Sequence, residues 1–142
     1  MIENKMELKF SAQSANQAFA RVAVAAFATQ LNPTVAEVTE IKTAVSEAVT
    51  NAIIHGYGDS DNDNEVVVRA QISGQEIVVE VADTGQGIED VDQAREPLFT
   101  SKPDEERSGM GFTVMEEFMD SLEVETTPGF GTTIRMKKTV GG

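Results

Sequence analysis

Glu47 and Asn51 stand four residues apart in the stretch Thr43 to Gly56, T-A-V-S-E-A-V-T-N-A-I-I-H-G. In a helix that spacing stacks a carboxylate on a carboxamide along one face. On the same predicted helix Val38, Ile41, Val45, Ala48, Val49, Ala52 and Ile53 supply a broad apolar surface for a core. Two oxygen-bearing side chains beside a core suit a metal or phosphate site. A solvated i,i+4 pair would show the same spacing, so the rest of the chain has to decide.

Three further stretches carry chemistry. Asp83-Thr84-Gly85-Gln86-Gly87-Ile88 follows an apolar strand pattern directly. Glycines there let backbone pass close to a ligand, and a carboxylate at the floor of such a pocket can accept from an exocyclic amine such as the 6-amino group of adenine. An ordinary Asp-Thr-Gly turn fits the same residues. Ser108-Gly109-Met110-Gly111-Phe112 opens a helical pattern, where bare backbone N–H groups at a positive helix end suit phosphate; a glycine turn with a Ser cap is the plainer reading. Gly131-Thr132-Thr133 begins a strand, and one of its hydroxyls could reach a nucleotide base or simply face solvent. No G-x-x-x-x-G-K-[ST] loop occurs, and the glycines do not follow a strand into a βαβ unit, so neither a Walker A nor a Rossmann site is present.

The elements that must position these residues can be read from periodicity. Met6, Leu8 and Phe10 alternate with polar residues, a strand over Met6 to Ser11. Ser14 is placed to cap a helix to about Leu31, with Phe19, Val22, Ala23, Ala26, Phe27 and Gln30 at helical spacing. Asn32-Pro33-Thr34 breaks it, and Pro33 is placed to start a second helix from about Thr34 to His55, stopped by Gly56. The Asp- and Asn-rich 58–64 loop lacks the Gly and terminal Glu of an EF-hand and reads as a solvated turn. Glu65 to Ile72 and Glu76 to Ala82 form a hairpin about Ser73-Gly74-Gln75. A short helix is expected over Glu89 to Arg95, an irregular polar loop from Pro97 to Ser108, a helix through Met119, and strands over Leu122 to Glu125 and Thr132 to Lys137, with fraying after Lys138. The order predicts an α/β (α+β) two-layer sandwich: one mixed sheet with helices on one face, in a single domain spanning 1–142.

Composition narrows the partners. The chain has 142 residues, 40% of them hydrophobic and 25% charged, enough for one core. A net charge of -13 argues against nonspecific binding to nucleic acid or an anionic membrane and requires local donors for any anionic ligand. Cysteine is absent and His55 is the only histidine, which excludes disulfides, thiolate sites and multi-histidine metal centres. There is no leader-like segment and no apolar run near membrane-spanning length, so a cytoplasmic location is expected.

Each motif is weak alone; their order is specific. E-x-x-x-N on a helix, D-x-G-x-G after a strand, G-x-G at a helix start and then G-T-T resembles the GHKL family of ATP-binding domains (gyrase, Hsp-ninety chaperones, histidine kinases, MutL), from about Ala36 to Met136. The resemblance implies the Bergerat ATP-binding fold, ATP and Mg2+ as cofactors, Asn51 as the magnesium ligand, Asp83 at the adenine amine, Gly85 and Gly87 in the pocket turn, and Thr132 near the base. It places Gly109 and Gly111, with Ser108 and Met110 between and beside them, against the phosphates at the end of a lid over about Ile88 to Ser108. Histidine kinases need a dimerisation helix with a phospho-accepting His, and gyrase and MutL types a transducer domain; the sequence offers neither.

The stretches Ser46 to Tyr57, Pro97 to Pro103 and Glu106 to Asp120 resemble the anti-sigma serine kinases, in particular those of endospore formers. That resemblance implies Glu47 as general base, with Arg107 or Lys102 stabilising γ-phosphate charge; either cation could equally be a solvated lid charge. His55 could approach phosphate or meet the helix dipole. The implied partners are a sigma factor of the sigma-F type, an anti-anti-sigma protein phosphorylated on serine, and a second copy in a homodimer. Arg21 matches an exposed partner-binding arginine, though a solvated helix arginine reads the same. A general-stress anti-sigma kinase shares all the motifs, and an ATP-gated sigma-binding module without kinase activity is a further alternative.

Overall fold

The computed structural model describes residues 3–57, 64–84, 111–127 and 131–141. Within them the chain forms five strands, β1 (Glu3–Ser11), β2 (Glu65–Ser73), β3 (Glu76–Asp83), β4 (Ser121–Thr127) and β5 (Gly131–Thr139), and three α-helices, α1 (Ala15–Ala28), α2 (Val35–Asn51) and α3 (Gly111–Phe118). A 3-10 turn over Thr29–Leu31 follows α1, and a π-helical turn over Ala52–Tyr57 continues α2. The expected short helix at Glu89 to Arg95 and the 88–108 lid lie outside the described residues.

Alternation dictates the sheet. Val66, Val68, Ala70 and Ile72 of β2 and Ile77, Val79 and Val81 of β3 are all buried on one face, where α2 supplies Ile41, Ala44, Val45, Ala48 and Val49. Each such Val or Ile side chain contributes roughly 1.5–3 kcal/mol by leaving water, and each Ala less. The strand order is β1-β2-β3-β5-β4. A mixed sheet was expected, yet all four described pairings are antiparallel. Two helices between β1 and β2 bring the chain back to the end where β1 finishes, with Ser11 paired to Glu65, so β2 runs back along β1. β3 and β4 run in the same direction, but β5 lies between them and is antiparallel to both.

The open face carries a row of alternating charge in register across all five strands: Glu7, Arg69, Glu80, Arg135, Glu123. Arg69 Nε meets Glu7 at 2.8 Å, and Arg135 meets Glu80 at 2.8 Å and Glu123 at 3.1 Å. Hydrogen bonds to Glu80 and then Glu123 push the Arg135 guanidinium above its ordinary range. Opposite charges facing each other favour this register over a slipped one.

The helices differ from expectation in detail. Ser14 precedes α1 but its side chain makes no capping bond. The buried face of α1 is Ala20, Val24, Ala25 and Ala28, whereas Phe19 and Val22 are each 56% exposed. Three of those four buried residues are alanines, which let α1 lie close to its neighbours, and Phe27 packs partly buried against the core. At α2 the cap is Thr34, in a reciprocal box with Glu37, and Pro33 stands one residue before it. The chain end does not fray after Lys138: Val140 is fully buried, its N–H donates to the Gln75 carbonyl at 2.8 Å, and Gln75 Nε2 donates back to the Val140 carbonyl at 2.8 Å.

Candidate nucleotide site

α2 is held on two sides, by α1 and by α3. On the α1 side Gln17 Nε2 donates to Thr50 Oγ1 at 2.6 Å and to the Ser46 carbonyl at 3.3 Å. The sheet side takes Ile41, Ala44, Val45, Ala48 and Val49. At 100° per residue this leaves Glu47 and Asn51 together on the remaining flank, away from α1, and both are half-buried. Asn51 is the last residue of α2; the π-helical turn begins at Ala52 and packs against β3 and β5. Periodicity of the sequence did not reveal the change to π geometry, a feature frequent at functional sites.

Below that turn a row crosses the helix-covered face of the sheet. Phe10 pairs with Val66, Val66 with Asp83, Asp83 with Thr132, and Thr132 with Thr126. The row is apolar as far as β2 and polar from β3 onward. Asp83 is 8% exposed and Thr132 4%. The hydroxyls of Thr126 and Thr132 are 2.9 Å apart, and Thr126 Oγ1 donates to the Gly131 carbonyl at 3.1 Å. Thr133 pairs with Ala82 on the opposite face, so of the two adjacent threonines Thr132 is the one beside Asp83.

Gly131 makes this approach possible. Its φ is +114°, and a β-carbon there would strike the Asp83 carbonyl oxygen and come within 2.7 Å of Thr84 Cα. Backbone cannot yield as a flexible side chain can, so only glycine fits. In the sequence Gly131 stands only at a strand start; its contact with the end of β3 needed the strand order. Thr126 and Gln17 gave no sequence signal beyond ordinary polar residues.

Gly111 is the first residue of α3 and half-buried, with Phe112 and Met115 buried behind it. Arg21 is half-buried on α1, in sequence between the exposed Phe19 and Val22. Gly85, Gly87, Lys102, Arg107, Ser108, Gly109 and Met110 lie outside the described residues, as does the side chain of His55. Among the described residues no group of three or more His, Cys, Asp or Glu is gathered to hold a metal, and no helix is long and apolar enough to cross a membrane. Magnesium is ordinarily held by one or two protein oxygens together with nucleotide phosphates, not by an all-protein cage, and a lone carboxamide beside a carboxylate fits that donor set.

Comparison with known proteins identifies the frame. A family model described as the histidine kinase-like ATPase domain matches residues 10–138. The anti-sigma F factor of Thermoanaerobacter sp. (strain X514) is 58% identical over 138 residues, 97% of this chain and 95% of that protein. The anti-sigma F factor of Clostridium perfringens (strain 13 / Type A) is 61% identical over 137 residues, 96% of this chain and 97% of that protein. Among solved structures, the RsbU and RsbW domains of a Mycobacterium tuberculosis protein superpose with a TM-score of 0.66 at 17% identity, over 96% of this chain and 32% of that one. The catalytic domain of the histidine kinase ThkA gives 0.59 at 15% identity, over 99% and 97%. These two likenesses show the fold. The chain belongs to the histidine kinase-like ATPase family and, within it, to the anti-sigma F factors.

Proposed function

We propose that the chain binds and inhibits a sporulation sigma factor of the sigma-F type, and uses Mg-ATP to phosphorylate a serine of the anti-anti-sigma protein, stage II sporulation protein AA. The observation that carries the kinase reading is the pairing of Glu47 with Asn51 on one flank of α2, clear of both the core and α1. Asn51 offers its carboxamide oxygen to magnesium. An ion held there would supply positive charge that offsets the charge of the phosphates. Asp83 accepts from the adenine amine, with Thr132 beside it. Glu47 takes the proton of the incoming serine hydroxyl as that oxygen bonds to the γ-phosphorus, and ADP leaves. Positioning and electrostatics supply most of such catalysis. Gly85 and Gly87 in the pocket turn, the lid cations Arg107 and Lys102, and the Ser108-Gly109-Met110-Gly111 phosphate contact complete the reading. Arg21 on α1 is assigned to partner contact, and the chain is assigned a homodimeric state.

The sigma-F type is favoured over a general-stress partner by the 58–61% identity to anti-sigma F factors across nearly the whole chain. The test mixes the purified chain with magnesium, γ-labelled ATP and the anti-anti-sigma protein, with Glu47→Ala beside it. Label on a partner serine, lost in the variant, is the expected result. No transfer with ATP still bound would leave an ATP-gated sigma-binding module, and binding to a stress sigma factor alone would overturn the choice of partner.

A further inference from the structure

We infer that Thr126, on β4, is a positioning residue that fixes the direction and hydrogen-bond polarity of Thr132, and thereby helps select a 6-amino over a 6-oxo purine. The inference rests on the reading of Asp83 and Thr132 as the base-recognition pair. Thr126 and Thr132 are register partners on the helix-covered face, with hydroxyl oxygens 2.9 Å apart. A hydroxyl has one proton. That of Thr126 is directed at the Gly131 carbonyl, 3.1 Å away. Thr132 therefore gives its own proton to Thr126 and retains lone pairs. Its neighbour across β3 and β5 is the Asp83 carboxylate, which is also an acceptor when ionised.

Two acceptors side by side match an exocyclic amine, which brings two protons. They oppose a carbonyl at the same ring position, whose lone pairs would face theirs. Burial sharpens the contrast, because a mispaired polar group at 4% or 8% exposure has little water to turn to. Thr126 itself touches no base; it acts through Thr132, and the Gly131 carbonyl orients it.

Thr126→Val keeps the branched shape a strand favours and removes the hydroxyl. Thr132 would then be released to donate as well as accept. The experiment titrates wild type, Thr126→Val and Thr126→Ser with Mg-ATP and Mg-GTP by calorimetry, with a melting curve for each. The ATP-to-GTP affinity ratio is expected to narrow by about five-fold in Thr126→Val, and Thr126→Ser is expected to restore it. Melting temperatures should stay close together, since a role confined to packing would move them and leave the ratio alone. An unchanged ratio in Thr126→Val, or a serine variant that behaves like valine, overturns the inference while leaving nucleotide binding intact. Absence of any nucleotide binding by wild type would instead remove the base-recognition reading and this inference with it.

Discussion

Gln17 of α1 donates its side-chain amide to Thr50 Oγ1 at 2.6 Å, between Glu47 and Asn51 on α2, and the same nitrogen reaches the Ser46 carbonyl at 3.3 Å. The amide fixes which flank of α2 faces α1, and so which flank is left for Glu47 and Asn51. Partly buried hydrogen bonds of this kind contribute about 0.5–1.5 kcal/mol each. Gln17→Ala is expected to lower stability by roughly 1–2 kcal/mol and the melting temperature by about 3–7 °C. Thermal denaturation checks this; an unchanged midpoint would mean that water replaces the amide fully.

Asn51 ends the regular part of α2, where the π-helical turn begins. With its carboxamide as the magnesium ligand, Asn51→Ala should weaken ATP binding in the presence of magnesium by on the order of 10- to 100-fold. Without magnesium the two proteins should bind nucleotide alike. Calorimetry with and without the ion reads both terms, and wild-type affinity in the variant would remove Asn51 from the site.

Strand faces were legible wherever one side is buried, because a period of two leaves little choice: Val66, Val68, Ala70 and Ile72 fell where alternation placed them. The inner face of α2 was equally plain. α1 was not, since it is apolar on more than one side; Phe19 and Val22 are its larger side chains, yet Ala20, Val24, Ala25 and Ala28 pack inward. Val24 is buried while Val22 is exposed, and Phe27 packs against the core while Phe19 does not, so residue type alone did not mark the inner face; the placement of the neighbours did. Insertion of β5 between β3 and β4 is a long-range event with no local signal, and the Asp83–Thr132–Thr126 row depends on it. Asp83 and Thr132 could be picked out by motif; Thr126 could not. Burial of Val140 escaped notice because a chain end is ordinarily frayed, and here Gln75 pins it from both sides.

Gly131 and Gly74 both have positive φ, +114° and +61°, but their surroundings differ. Nothing lies within 4 Å of a β-carbon built on Gly74, at the exposed β2–β3 turn. Gly74→Ala should therefore cost only the left-handed conformation, about 1–2 kcal/mol. Gly131→Ala adds a collision with the backbone of Asp83 and Thr84, and should cost at least about 3 kcal/mol or prevent folding. Denaturant unfolding of the two variants side by side tests the difference. Equal losses would show that β5 can shift away from the end of β3.

Glu37 joins the start of α2 to the chain end. Its carboxylate accepts from the Thr34 backbone N–H at 2.9 Å and from the Gly141 N–H at 3.1 Å. The Thr34 backbone bond first, and the Gly141 bond second, hold its pKa below the ordinary glutamate range. A depressed carboxylate pKa stabilises the fold fully above the unfolded-state value of about 4.3, and the contribution disappears as pH falls through the lowered folded value. Wild type should thus be more stable than Glu37→Gln at neutral pH. The gap should begin to close below about pH 5 and vanish under acid conditions. Denaturant titrations of both proteins from pH 7 down to about pH 3 measure it. A gap that stays constant across that range would mean that ionisation of Glu37 does not contribute, and that the neutral amide holds Thr34 and Gly141 equally well.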